Sequence, residues 1–242
     1  MIKLFSIILA FLCILTSCSK IYTYFRRNND TEGKTEIKSK FNDDNIVYTN
    51  ESSRSYEVHQ TLKDREINFK LELLVIPGKM SGGTKIKYKY FYTPEALTLE
   101  ERITYLNSDV NYKSEITSVM EDVNHIFLHP PRSFSLKSLQ LSPFPQIDFP
   151  VKKGYSWKAK MFIGSGWGDL NGKTIKYDFI IDEVKYLDND TLNYTAKVIA
   201  KSYVENENHL CNAIFNFDSK LGFTRLRYDF DNTTKIEFNL VE

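Results

Sequence analysis

Between Lys85 and Tyr92 the chain reads Lys-Ile-Lys-Tyr-Lys-Tyr-Phe-Tyr, a period of two that constrains the fold more than any other feature. Side chains alternate sides along an extended strand, so Ile86, Tyr88, Tyr90 and Tyr92 share one face while Lys85, Lys87 and Lys89 occupy the other. Such a segment buries one face and wets the other, which suits an antiparallel sheet with a single core. From Tyr56 onward the same period recurs over Asn68–Ile76, Lys173–Ile181, Thr191–Tyr203, His209–Phe217, Thr224–Phe230 and Lys235–Leu240. In the last of these Ile236, Phe238 and Leu240 point inward. Short polar turns are predicted at Lys63-Asp64-Arg65, Pro77-Gly78, Asn171-Gly172, Asp188-Asn189-Asp190, Ser219-Lys220 and Asp231-Asn232.

Strands joined by tight turns, with no strand–helix alternation, predict a mainly β protein. The expected form is an antiparallel curved sheet, a half-barrel or a sandwich, with at most one or two short helices. Fifteen tyrosines and 17 phenylalanines supply β-favouring aromatics. One segment departs from the pattern: Pro94 to Arg102 carries proline at a first helical position with acidic residues nearby, and predicts a helix of about two turns, with a loop between long hairpins as the alternative.

The amino terminus has a different character. Lys3 precedes an apolar run, Leu4 to Leu15, that is too short for a stable bilayer span. It closes on Leu15-Thr16-Ser17-Cys18, which resembles the lipobox of bacterial lipoproteins at all four positions. That resemblance implies a signal peptide over 1–17, cleavage before Cys18, and diacylglyceryl and palmitate-type acylation of Cys18. It implies a membrane-lipid partner and a place in the bacterial cell envelope, in the outer membrane rather than the inner. Acyl chains contribute about 0.8 kcal/mol per buried methylene, so two or three hold a protein on a membrane durably.

Residues 18–54 then read as the lipidated cysteine and a flexible polar tether, and 55–242 as one antiparallel β-domain. The stretch from Arg26 to Lys34 shows why, since it holds too little apolar area to offset its ordering entropy. Within the tether, Ile21 to Phe25 is either a headgroup contact or an idle apolar cluster. Without the leader the chain carries 31 basic and 31 acidic residues, which leaves no electrostatic footprint for nucleic acid. Cys13 leaves with the leader and Cys18 is acylated, so only Cys211 remains in the domain and no internal disulfide forms. Cys211 shares a face with Ala213, Phe215 and Phe217, which predicts a buried thiol and not a nucleophile.

The densest block runs from His129 to Gly172 and contains five of the seven prolines and both tryptophans. Proline cannot donate to a ladder, so a rigid connection crossing over the sheet is expected here in place of a central strand. Three stretches, His129-Pro130-Pro131-Arg132, Leu141-Ser142-Pro143-Phe144-Pro145 and Gly154-Tyr155-Ser156-Trp157, resemble envelope lipoproteins of the Bacteroidota type that have no assigned activity. The overall plan is also similar to the curved sheets of lipoprotein-localisation folds, which hold a helix or ligand in their concavity. Neither resemblance brings a catalytic motif with it.

No spaced set of residues carries chemistry. His125 and His129 lie four apart, but on a strand that separates them by roughly 13 Å, too far for one metal ion. Gly164-Ser165-Gly166-Trp167-Gly168 lacks the Lys-Ser/Thr of a phosphate loop and the spacing of a serine elbow, so it reads as a hairpin loop. Asp182 and Glu183 are adjacent and face opposite ways. No cofactor, metal site or catalytic residue is therefore assigned. Trp157, Trp167, Tyr155, His129 and Arg132 are the candidate ligand-binding residues, with Phe162 a further aromatic beside them, although strand alternation places Trp157 on the core face with Ala159. The expected function is a non-enzymatic binding or accessory module of the envelope, taking a protein partner or an apolar or glycan ligand. The alternatives are a glycan-binding module built on Trp157 and Trp167, and a hydrolase whose site carries no recognisable motif.

Overall fold

The computed structural model describes residues 47–48, 51–63, 65–93, 97, 113–122, 124–187, 190–204, 209–231 and 233–241. Twelve strands form one antiparallel sheet: β1 (Ser53–Leu62), β2 (Arg65–Met80), β3 (Gly83–Phe91), β4 (Lys113–Glu121), β5 (His125–Leu128), β6 (Gln146–Asp148), β7 (Ser156–Phe162), β8 (Thr174–Leu187), β9 (Asp190–Val204), β10 (His209–Asp218), β11 (Gly222–Asp229) and β12 (Thr234–Val241). Their spatial order is 6-5-4-3-2-1-12-11-10-9-8-7, so the first and last strands are neighbours in the middle. Ser55 pairs with Val241 and Leu62 with Thr234 across that central seam.

The curvature follows from chain length. Twelve strands laid flat at about 4.8 Å spacing would put the β6 and β7 edges roughly 53 Å apart. Only residues 149–155 join those edges, and they reach at most about 28 Å. The sheet must therefore curl, and the link records it: Phe149 N donates to Asn124 O, beside β5, while Gly154 N donates to Ile181 O on β8. The edges approach without pairing, so the sheet stays open.

Alternation decides which face lies inside the curl. Ile67, Phe69, Leu71, Leu73 and Val75 of β2 are buried, as are Ile86, Tyr88 and Tyr90 of β3. Ile175, Tyr177, Phe179 and Ile181 continue the face on β8, and Cys211, Ala213, Phe215 and Phe217 on β10. These residues join one apolar cluster that spans the sheet. The buried thiol expected at Cys211 is thus observed, with burial pushing it well above its ordinary value.

Two expectations are corrected. Pro77 and Gly78 lie inside β2, not in a turn, at a register shift between Val75 and Lys79 against β3. A bulge accommodates them because Pro77 has no ladder proton to give. The turn falls at Ser81-Gly82, both with positive φ (51° and 83°), as a two-residue hairpin loop requires. The proline-rich block, expected to cross the sheet, also supplies the edge strands β6 and β7, where a strand needs hydrogen bonds on one side only. Between β5 and β6 a 3-10 helix, Phe134–Leu141, enters the concavity and buries Leu136 and Leu139. The helix expected over Pro94–Arg102 lies outside the described residues except for buried Leu97, and the leader and Cys18 lie outside them as well.

Candidate functional site

The His-Pro-Pro-Arg stretch is where β5 ends and the chain turns into the concavity. His129 N donates to Ser118 O at 3.3 Å, and Leu128 N donates to Pro145 O at 2.9 Å, so both ends of the inserted segment are tied to the sheet. Tyr88 Oη reaches across the core to donate to His129 O at 2.9 Å. The imidazole has a partner on each side. Nδ1 lies 3.1 Å from Pro130 O and Nε2 lies 3.0 Å from an Arg132 guanidinium nitrogen. An acceptor beside Nδ1 and a donor beside Nε2 select the neutral tautomer with its proton on Nδ1. Burial first, and the Arg132 charge second, lower the His129 pKa to about 4.

Glu115 of β4 completes the arrangement. Its two oxygens accept from Arg132 N at 2.9 Å and from Ser133 Oγ at 2.6 Å. Phe134 then takes a left-handed backbone, with φ of 55°, a conformation an aromatic residue adopts only when its surroundings dictate it. Here its ring meets Tyr92 at 5.3 Å and Tyr90 at 6.3 Å, both edge-on. Gln60 Nε2 donates to Ser135 O from β1, and Ser142 Oγ donates to Leu139 O to close the helix. The helix is therefore a plug, made by the chain itself.

The aromatic candidates divide. Trp157 sits on β7 facing the core, 8% exposed, stacked on Phe179 with ring centres 5.1 Å apart. Tyr155 packs beside it, ring centres 6.0 Å apart. Trp167 belongs to the β7–β8 loop, half-buried, and Lys137 of the plug lies 5.2 Å over its ring. The structure thus brings His129 and Arg132 together, brings Tyr155 and Trp157 together, and ties Trp167 to the plug through Lys137. It does not pair the two indoles as one exposed face, since Trp157 turns inward. Phe162, at the end of β7, is exposed on the outer surface. His125 lies away from His129, 3.2 Å from Asp122. Among the described residues no group of three or more His, Cys, Asp or Glu is placed to hold a metal ion.

A second arrangement escaped the sequence. Val47 and Tyr48, assigned there to the tether, are buried against the body. Glu121 at the end of β4 accepts from Val47 N at 2.7 Å and from Tyr48 N at 3.1 Å. Arg54 of β1 donates to Val47 O and to Leu221 O, each at 2.6 Å, and its guanidinium covers the Tyr48 ring at 4.2 Å. Phe223 N donates to Tyr48 Oη. Burial raises the Tyr48 phenol to about 12 and raises the Glu121 carboxyl, which the two amide donors and Arg54 pull back down. Gly222 makes room: with φ of 83°, a Cβ there would stand 2.7 Å from Tyr48 Oη. No local signal marks this clamp, because its parts come from three distant strands.

The outer face carries a groove of about 300 Å³ over β8 to β11, whose lining includes Glu183, Lys185 and Lys197. Its charges are matched: Lys197 bonds Asp182 at 2.7 Å and Lys185 lies 3.0 Å from Glu183.

No protein-family model matches the chain. No curated protein matches it. Two solved structures are similar. One is a candidate exported protein with a YmcC-like fold from Bacteroides fragilis, 7% identical, covering 81% of this chain and 96% of that one, with a TM-score of 0.41. The other is a candidate lipoprotein from Parabacteroides distasonis, 9% identical, covering 80% and 96%, with a TM-score of 0.36. At these scores neither likeness assigns a function.

Proposed function

We propose that this chain is an acylated envelope lipoprotein, held in the outer membrane through Cys18, whose β-body serves as a non-enzymatic binding or accessory module. The observation that carries the reading is Leu15-Thr16-Ser17-Cys18 after a short apolar run, followed by polar chain up to the docked Val47–Tyr48. What supports a surface role for the body, with a protein partner in preference to an enclosed apolar ligand, is the plug, since Leu136 and Leu139 fill the concavity. What supports binding over catalysis is that His129, Arg132 and Glu115 are engaged with one another and with the plug's backbone. Two experiments test the reading. Cys18→Ala expressed in the native cells is expected to leave the membrane fraction and to change electrophoretic mobility; unchanged fractionation and mobility would overturn the anchor. Cross-linking in intact cells followed by mass spectrometry is expected to recover one specific partner, and recovery of none would overturn the binding role.

A further inference from the structure

Exposed apolar side chains are unevenly distributed over the two ends of the sheet. The β8–β9 hairpin is longer than its neighbours. Its last register with β10 is Thr195 against Asp218, and Ser219 N still reaches Tyr194 O. Beyond that point β9 pairs with β8 alone, Tyr194 against Tyr186 and, after a register shift, Asp190 against Leu187, an overhang of about 7 Å. Tyr186 stands opposite Tyr194, the two rings 6.2 Å apart edge to face, and Tyr194 in turn meets Phe217 of the core. The apolar inner face thus runs on past the end of the core. On this lip Tyr186 is 55% exposed and Leu192 58%.

Register and hydrogen bonds place Val47 and Tyr48 at the same end. Leu221, in the β10–β11 turn and 47% exposed, accepts from Arg54, the residue that also holds Val47 O. Val241, 41% exposed, is the strand partner of Ser55 next to Arg54. The docked Val47 is therefore continuous with Leu221, Ser219, Tyr194 and the lip. The 28 residues 19–46 lead from it back to Cys18.

We infer that this end of the sheet rests on the lipid bilayer, with Tyr186 and Leu192 of the β8–β9 lip entering the headgroup region and Leu221 and Val241 beside them. The inference rests on the reading of Cys18 as acylated, because the acyl chains then bring a bilayer to the end where the chain joins the body. Scattered single apolar residues on a surface need no explanation, but here several are gathered on a protruding edge. Tyrosine and leucine are side chains that a water–lipid interface accepts, the ring at headgroup depth and the aliphatic chain below it.

The test uses the full chain purified from native membranes and reconstituted in phosphatidylethanolamine–phosphatidylglycerol vesicles. Leu192→Cys carries an environment-sensitive fluorophore, and Phe162→Cys, at the opposite end of the sheet beside Thr174, is the control. Labelling is specific because Cys211 is buried and Cys18 is acylated. Quenching by a lipid-borne quencher is expected to be several-fold stronger at 192 than at 162, with a blue-shifted emission. Leu221→Cys, in a turn, is a second reporter expected to follow 192. Equal quenching at both ends, or a shift at 192 only when protein is added, overturns the contact. An unacylated Cys18, seen by mass and by extra labelling of that thiol, overturns the anchor, while the vesicle-dependent signal at 192 still reads the contact.

Discussion

Glu121 and Tyr48 are 73 positions apart in the chain, and the carboxylate accepts the tyrosine's backbone N–H at 3.1 Å. Together with Arg54 and Gly222, this relationship holds Val47 and Tyr48 against the sheet. Gly222→Ala introduces a Cβ at positive φ within 2.7 Å of Tyr48 Oη. A loss of about 2 kcal/mol is expected in urea unfolding. Tyr48→Phe removes the clashing oxygen, so the double variant should lose less than the two single losses summed, a coupling that a double-mutant cycle measures.

Acid should destabilise the fold through His129. Its folded pKa is depressed to about 4, below the 6.5 of an unfolded histidine. Above pH 6.5 neither state is protonated and the stability is fully present. As pH falls from 6.5 to about 4 the unfolded chain takes up a proton that the folded chain refuses, so stability declines, by at most about 3 kcal/mol. Below pH 4 both states bind the proton and this contribution levels off. His129→Gln should flatten the pH 4–6.5 portion of a stability curve relative to the unaltered chain.

The two tryptophans should separate in fluorescence. Acrylamide is expected to leave Trp157 nearly untouched and to quench Trp167 readily, and Trp167→Phe should remove the accessible component. Trp157→Ala empties a stacked core site on Phe179, and a loss of about 3–5 kcal/mol is expected from denaturant midpoints.

Tyr177 and Tyr228 place their hydroxyls in the core with no hydrogen-bond partner among the described residues. Removing a desolvated hydroxyl relieves its burial cost, so Tyr228→Phe and Tyr177→Phe should hold or raise the melting temperature, by the equivalent of about 1 kcal/mol at most. A drop of that size in either variant would show that the hydroxyl binds something in solution.

Most of the sheet is legible in the chain because the signal is local. Ile86, Tyr88, Tyr90 and Tyr92 declare their common face by spacing alone, and so do Ile236 and Phe238, whatever strands lie beside them. The Pro77-Gly78 turn misleads for the same reason in reverse: those two residues favour a turn in isolation, and β3 accepts them as a bulge by pairing beyond it. His129 and Arg132 stand out in the sequence as an unusual stretch, yet their task of fastening the plug emerges only when Glu115 and Tyr88 arrive from other strands.

By itself, then, the sequence determined the strand class, the inward faces of β3, β7, β10 and β12, the core position of Cys211 and the lipobox at Cys18, since each is written within a few neighbouring residues. Only the tertiary structure decided that β1 and β12 meet, that the concavity is filled by the chain's own 3-10 helix, that Tyr48 is clamped beneath Arg54, and that the β8–β9 lip overhangs at that same end. Those outcomes depend on which distant segments lie side by side. That choice is made by the curl of the whole sheet, which no local window of residues encodes.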